Sequence, residues 1–322
     1  MIVPQYWSES KLKKIVNGKQ FTLKRFGWSD VSELDAKVHA DERLKEAEQN
    51  LDSDGDIRRI DHKVPYNGAE GIPIREEIIS RHQDNVITRN SYGALCINTP
   101  NVLFADVDIQ YTPSYKIYLL AAVLLIAITS VVAFLLSSWT AFILGALATL
   151  FFTASLASRL DRSIKDDPED LALQTIKQVA QADPSLNLRV YRTPMGFRVL
   201  VMNSIFDPRQ ESTIELLNSF NSDRLYTQMC KNQNCFRARV SPKPWRINID
   251  RLKPTPGTWP IKYKHMANRQ QWVEHYNKAS EAYSSYHFIM QLGSNTVVPE
   301  TEYVRELHDS YSKVNLNNLD LA

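Results

Sequence analysis

The sequence predicts an α+β protein, with a mixed or antiparallel sheet and flanking helices, interrupted by a two-helix transmembrane hairpin. Charged residues are absent from Ile117 to Ser158, whereas they are frequent on both sides of that stretch. Runs of β-branched and aromatic residues occur before and after it, which indicates strands in both flanking parts. Segments rich in Ala, Glu, Lys and Leu alternate with these runs and indicate helices.

The composition is that of a folded chain. Of the 322 residues, 43% are hydrophobic and 23% are charged, which excludes collagen-like and wholly disordered classes. The 38 basic residues barely exceed the 36 acidic ones, so the bulk charge does not indicate a nucleic-acid partner. Local basic patches remain compatible with this balance.

The part before the uncharged stretch predicts strands and helices in alternation. A β-type pattern covers 19–28, and a helix-forming composition covers 35–51. The remaining predictions are an acidic turn at 52–56, a Pro-Tyr-Asn-Gly turn at 65–68, a short amphipathic helix at 74–82, and strands at 85–89, 92–98 and 102–109.

The uncharged stretch is too long for one membrane span and fits two. We predict spans at 117–136 and 141–157, because the polar residues at 137–140 suit a turn at the membrane surface. Ala141, Gly145 and Thr149 recur every four residues, so small side chains of the second helix would allow close packing on the first. A buried soluble hairpin and a single tilted span are the alternatives.

The basic residues that flank the hairpin indicate its orientation. Lys116 precedes the first span, and Arg159, Arg162 and Lys165 follow the second. Because basic flanks stay in the cytoplasm, both termini are predicted to be cytoplasmic in a multi-pass protein of the inner membrane. The partner that this implies is the lipid bilayer.

The part after the hairpin continues the α+β pattern. We predict a helix at 167–182, a β-hairpin of strands at 187–193 and 197–203, helices at 212–220 and 223–231, a strand at 235–240, helices at 266–287 and 300–312, and a frayed end over the last ten residues. The domain organisation that follows is 1–116 and 159–253 as one split cytoplasmic domain, 117–158 as the hairpin, and 254–322 as a C-terminal helical extension.

Three cysteines, Cys96, Cys230 and Cys235, are predicted to be free thiols. The C-x4-C spacing of the last two has no adjacent histidine and suits zinc poorly. So few cysteines fit a reducing compartment better than a disulfide-stapled secreted fold.

Asp106 and Asp108 are the candidate metal ligands. They are two apart on a predicted strand, so both carboxylates project from one face and can meet a single Mg²⁺ or Mn²⁺. The alternative is a strand end whose acids pair with nearby arginines or face solvent.

Basic side chains form the candidate phosphate site. Arg237 and Arg239 are two apart on a predicted strand, and guanidinium groups bind phosphate bidentately. The full candidate set is Arg198, Arg237, Arg239, Lys243 and Arg246, with Trp245 as a stacking face for a base. These cations equally suit the neutralisation of Asp106 and Asp108, or contact with anionic lipid.

Four sequence blocks resemble an uncharacterised bacterial protein family, some of whose members have membrane spans. They are RFGWS at 25–29, PYNGAEGIPIREE at 65–77, RNSYGALCINTP at 89–100 and FRARVSPKPWR at 236–246. The resemblance implies a membrane protein and brings no activity with it.

A second, weaker resemblance is to primase-polymerase domains. Asp106-Val107-Asp108 is similar to the Asp-x-Asp strand of those domains, and the block at 192–198 is similar to their hairpin motif. That resemblance implies metal-dependent nucleotide chemistry. Arg198 stands nearest to the family's histidine, and Asp207 and Asp250 are the candidates for its third acid, so polymerisation itself is not implied.

The sequence therefore leaves two functions open. The first is a membrane-anchored cytoplasmic domain that binds a divalent metal, Mg²⁺ or Mn²⁺, and a phosphate-containing ligand such as a nucleotide. The second is a non-catalytic scaffold or binding module tethered to the membrane.

Overall fold

The computed structural model describes residues 3–16, 19–52, 72–109, 113–164, 167–253, 259–316 and 318–322. The chain divides into two compact units, one made of Met1–Val107 with Val179–Ala322 and the other of Asp108–Gln178. The predicted turns at 52–56 and 65–68 lie largely or wholly outside the described residues.

The first unit begins with a β-hairpin that packs on a helix. Strand β1 (Tyr6–Val16) pairs antiparallel with β2 (Lys19–Ser29), and helix α1 (Glu33–Asp52) follows. Gly27 allows β2 and α1 to pack closely, because a Cβ at this position would lie only 2.2 Å from the backbone oxygen of Ala36 in α1. The predicted strand and helix are both confirmed, whereas β1 was not predicted.

One antiparallel sheet has the strand order β3-β4-β5-β9. Its strands are β3 (Glu77–His82), β4 (Asn85–Arg89), β5 (Leu95–Thr99) and β9 (Phe236–Arg239). The predicted helix at 74–82 is wrong, because this segment pairs with β4 and half-buried residues dominate along it. Strand pairing overrides the helical spacing of its few apolar residues.

The second four-stranded sheet has the order β11-β7-β8-β6. It consists of β6 (Phe104–Asp108), β7 (Asn187–Thr193), β8 (Gly196–Val201) and β11 (His287–Gly293). The hairpin β7–β8 is confirmed, and its register sets Tyr191 opposite Arg198. Directly opposed residues share a face, so these two side chains lie on the same side of the sheet.

The remaining helices of the described chain are α4 (Pro168–Ala182), α5 (Glu211–Ser219), α6 (Arg224–Gln233), α7 (Met266–Ser280) and α8 (Pro299–Ser312). The prediction of one helix over 266–287 is wrong in its second half. Helix α7 ends at Ser280, and β10 (Tyr283–Ser284) and β11 follow. The segment after residue 254 is therefore not a purely helical extension, because β11 pairs antiparallel with β7.

The end of the chain is ordered instead of frayed. Strand β12 (Asp320–Leu321) pairs parallel with β10, and Ala322 is buried. The prediction of a frayed end is wrong because backbone pairing and apolar packing hold these residues.

The second unit contains a helical hairpin. Helix α2 (Tyr115–Leu135) and helix α3 (Trp139–Ile164) are joined by the short turn at 136–138. Both helices are long and apolar enough to cross a membrane, over Tyr115–Leu135 and Trp139–Asp161. Both predicted spans are thus confirmed as helices, although α3 extends beyond the predicted span of 141–157 at both ends.

The two helices of this hairpin approach each other closely at Gly145. A Cβ on Gly145 would lie 2.6 Å from Cβ and 2.8 Å from Cγ2 of Thr129. The prediction that a small residue of α3 faces α2 is confirmed at this position.

We expect Gly145→Ala to loosen the hairpin by about 1–3 kcal/mol, because the added methyl overpacks the helix contact. The variant Thr129→Gly removes the opposing atoms. The double variant should therefore be more stable than the sum of the two single changes by on the order of 1 kcal/mol. Unfolding with SDS in detergent micelles, followed by helical circular dichroism, measures this coupling, and strictly additive effects would contradict the contact.

Candidate functional site

The two candidate metal ligands lie at the end of β6. Asp106 is half-buried, and its Oδ1 accepts a hydrogen bond from Nη2 of Arg198 at 2.8 Å. Asp108 is exposed and is the last residue of the strand. The strands that carry Asp106 and Arg198 are neighbours in the second sheet. The structure thus brings the acid and the arginine together as a direct ion pair.

Arg198 is enclosed in the protein. Its side chain is only 5% exposed, and its guanidinium carbon lies 5.4 Å from the ring centre of Tyr286 and 5.9 Å from that of Tyr226. Burial by itself would lower the pKa of this guanidinium, but the charge and hydrogen bond of Asp106, together with the neighbouring Tyr286 and Tyr226, raise the pKa above its ordinary value. Arg198 is therefore permanently charged, and Asp106 is the carboxylate that compensates it.

The ion pair between Asp106 and Arg198 disfavours the binding of a metal cation at Asp106. One carboxylate oxygen already accepts from Arg198, and a divalent ion there would also meet the repulsion of the buried guanidinium. In the part of the chain that the structure describes, no cluster of three or more His, Cys, Asp or Glu side chains is placed to hold a metal ion.

Arg237 lies in the other sheet and has a different acid. Its Nη2 donates to Oε2 of Glu76 at 2.5 Å, and both side chains are about nine-tenths buried. The same oxygen accepts from Oγ1 of Thr88 at 2.7 Å, and Thr88 in turn accepts from the amide of Asn98 at 2.9 Å. The structure therefore places Arg237 in a buried polar network and not beside Asp106.

The other predicted phosphate ligands lie at and just after the end of β9. Arg239 is half-buried and donates from Nη1 to the carbonyl of Ser241 at 2.6 Å. Within the described ranges no carboxylate lies within ion-pair distance of Arg239. Lys243 and Arg246 follow, with Arg246 at the end of the short 3₁₀ helix Pro244–Arg246.

Trp245 is the exposed aromatic residue that sequence reasoning singled out, at 42% exposure. Nζ of Lys243 lies 5.7 Å from its ring centre, and the guanidinium carbon of Arg251 lies 4.6 Å away. Tyr92 packs edge-on against it with ring centres 5.1 Å apart. Arg251 is a member of this cluster that the sequence analysis did not name.

A buried histidine-aspartate pair was also missed. His308 is fully buried, and its Nδ1 lies 2.9 Å from Oδ1 of Asp309. The other oxygen of Asp309 accepts from Arg189 and Arg305, each at 3.2 Å. An adjacent His and Asp in a helix is too common a pattern to single out, so the sequence carried no signal for this pair.

Aromatic rings enclose His308. Its ring centre lies 4.8 Å from those of Tyr191 and Tyr286 and 5.3 Å from that of Phe104. Burial lowers the pKa of His308, although Asp309 opposes that effect. The folded protein therefore favours the neutral imidazole at neutral pH.

We expect this histidine to make the folded state less stable in mild acid. An unfolded histidine binds a proton near pH 6.5, whereas folded His308 resists protonation, so stability is lost as the pH falls below that value. The slope should reach at most about 1.4 kcal/mol per pH unit. Urea unfolding between pH 7.5 and 5.5 measures it, and His308→Gln should flatten the profile, whereas a change at exposed His275 should not. Equal profiles in the three proteins would contradict this assignment.

The three cysteines are buried free thiols, as predicted. Burial raises the pKa of Cys235 to about 12, so its thiol stays protonated and unreactive at neutral pH.

The chain was compared with models of protein families, with curated proteins and with solved structures, and none of the three comparisons found a match.

Proposed function

We propose that this chain is an integral membrane protein whose helical hairpin anchors an α+β domain at the inner membrane, where the domain acts as a tethered binding or scaffold module. The observation that carries the proposal is the outward display of large apolar side chains by α2 and α3. Phe134, Leu150 and Phe151 are 83%, 78% and 79% exposed. A soluble protein rarely leaves such a continuous apolar surface in water.

Lipid is the solvent that this surface fits. Each helix satisfies its backbone hydrogen bonds internally, which is what allows a segment to lie in the hydrocarbon core. Each also has the length that a bilayer of about 30 Å requires. The exposed Trp139 at the hairpin turn suits the headgroup region.

The basic flanks of the hairpin support one orientation. Lys116 in the first turn of α2 and Arg159 near the end of α3 lie at the two ends that the hairpin brings to one side, and the sequence continues with Arg162 and Lys165. The positive-inside rule then favours cytoplasmic placement of both termini and of the whole α+β unit.

Fractionation of cells that express the full chain tests the anchor. The protein should stay in the pellet after an alkaline carbonate wash, which strips peripheral proteins, and should be released by dodecyl maltoside. Release by carbonate alone would show that the hairpin does not enter lipid.

The internal ion pairs favour a module over an enzyme. Arg198 compensates Asp106, and Arg237 compensates Glu76, so these charges are accounted for inside the fold. Pairs of this kind hold a buried charge in place and do not by themselves supply chemistry.

A second candidate function is the binding of a phosphate-containing ligand such as a nucleotide, with or without Mg²⁺ or Mn²⁺. The observation that favours it is Arg239, whose guanidinium has no carboxylate partner within the described part of the chain. Calorimetry with Mg²⁺, Mn²⁺ and nucleotides on the wild type, on Arg239→Gln and on the double variant Asp106→Ala, Asp108→Ala tests it. Binding that both variants weaken would support the complete site, and the absence of binding to the wild type would remove it.

A further inference from the structure

The segment at 243–269 has a strong local charge imbalance. Residues 243–269 hold seven Lys and Arg side chains and one acid, Asp250. Over the whole chain, bases exceed acids by only two, so the rest of the protein is net acidic. Three aromatic residues, Trp245, Trp259 and Tyr263, are interspersed among these cations.

The first half of this segment displays its cations from a fixed backbone. Ile247, Ile249 and Leu252 are buried and alternate with exposed residues. The backbone N–H of Leu252 donates to the carbonyl of Tyr92 at 3.3 Å. Arg251 and Lys253 are exposed beside this anchored chain.

The second half presents a similar surface at the start of α7. Tyr263 is 93% exposed between the exposed Lys262 and Lys264, and Met266 is 37% exposed. The turn Tyr263–His265 leads directly into the helix, which fixes the backbone of these residues. Arg269 does not belong to the surface, because it is buried and donates to Glu77 at 2.5 Å.

We infer that 243–253 and 259–266, here called the basic aromatic segment, are a contact surface for anionic phospholipid. Exposed Trp and Tyr beside Lys and Arg are the side chains that the headgroup region favours, and Lys and Arg are attracted to the negative charge of a cytoplasmic leaflet. This inference rests on the proposed function, because the membrane anchor raises the local concentration of lipid around the domain.

The test uses the full chain reconstituted into nanodiscs of phosphatidylcholine alone or with 30% phosphatidylglycerol. Co-elution with both kinds of disc in size-exclusion chromatography reports insertion of the hairpin. Hydrogen exchange of peptides from the basic aromatic segment reports its contact with lipid. We expect at least about fivefold slower exchange in the anionic discs, since one lysine at such a surface is worth roughly a fivefold change in the docked population.

A matched pair of charge variants assigns the effect. Lys253→Glu, Lys262→Glu and Lys264→Glu together should abolish the protection. Lys13→Glu, Lys45→Glu and Lys278→Glu make the same change in net charge at exposed positions elsewhere in the chain and should leave it unchanged.

Each remaining outcome overturns a defined part of the account. Insertion into both discs with equal exchange, or equal effects of the two triple variants, would overturn the lipid surface and leave the anchor intact. Failure to co-elute with either disc would overturn the anchor and the surface together. Protection by a thymidine 30-mer in neutral discs, without protection by anionic lipid, would assign the segment to single-stranded nucleic acid and overturn the lipid proposal.

Discussion

Replacement of residues 113–164 by a short Gly-Ser linker is expected to move the protein from the membrane pellet to the soluble fraction. The exposed side chains of α2 and α3 include most of the large apolar residues that face outward in the described part of the chain. Exposing apolar surface to water costs roughly 25 cal/mol of free energy per Å². The exposed side chains of the two helices should therefore hold the protein in the membrane fraction, and their removal should release it. Met1–Val107 and Val179–Ala322, which the replacement leaves untouched, form one compact unit, so we expect a folded product.

A scrambled hairpin is the control for this deletion. It keeps the composition and length of α2 and α3 but permutes the apolar residues within each helix. Because insertion into lipid depends on hydrophobicity more than on a particular packing surface, the scrambled protein should remain in the pellet. A soluble scrambled protein would indicate that the native hairpin packs on protein instead of lipid.

The second large effect is expected from Glu76→Gln, which removes the acid that compensates Arg237. The pair is almost fully buried, so the variant leaves a guanidinium uncompensated in the core. Breaking such a pair from one side costs about 3–5 kcal/mol. Urea unfolding of the chain in nanodiscs, followed by tryptophan fluorescence, measures the loss.

Two further variants separate the charge from the side-chain shape. Adding Arg237→Met to Glu76→Gln removes both charges and should recover most of the stability, because a buried pair is often replaceable by apolar groups. Glu302→Gln breaks the partly exposed pair with Arg305 and should cost less than about 1 kcal/mol. Similar losses in Glu76→Gln and Glu302→Gln would contradict the role of the buried network.

The elements predicted from local pattern were those with strong periodicity or clear breakers. The hairpin helices, the strands β7 and β8 around the Gly196 turn, and helix α4 all follow from their own residues. The segments that failed depend on partners distant in sequence. Strand β3 pairs with β4 against its helical spacing, and β11 pairs with β7 across about a hundred residues.

The contacts of the candidate site also differ in how far they could be predicted from the sequence. The sequence suggested that arginines neutralise the acids of β6, and Arg198 does so for Asp106. The ion pair between Arg237 and Glu76 could not be predicted from the sequence, because these residues are 161 positions apart and only the folded sheet brings them together. Arg251 was missed for a similar reason, since its contact with Trp245 depends on the fold of the intervening loop.

The central claim is that the chain crosses the membrane twice and returns to the side on which it began. Cysteine accessibility tests it most directly, because Cys96, Cys230 and Cys235 are buried and give little background. Single cysteines are placed at the exposed positions Thr140, Asp84 and Glu300, which lie at the hairpin turn, before the hairpin and after it. With a membrane-impermeant maleimide on spheroplasts, only the cysteine at position 140 should react, and those at 84 and 300 should react only after lysis. Labelling of either position 84 or position 300 in intact spheroplasts would contradict the account.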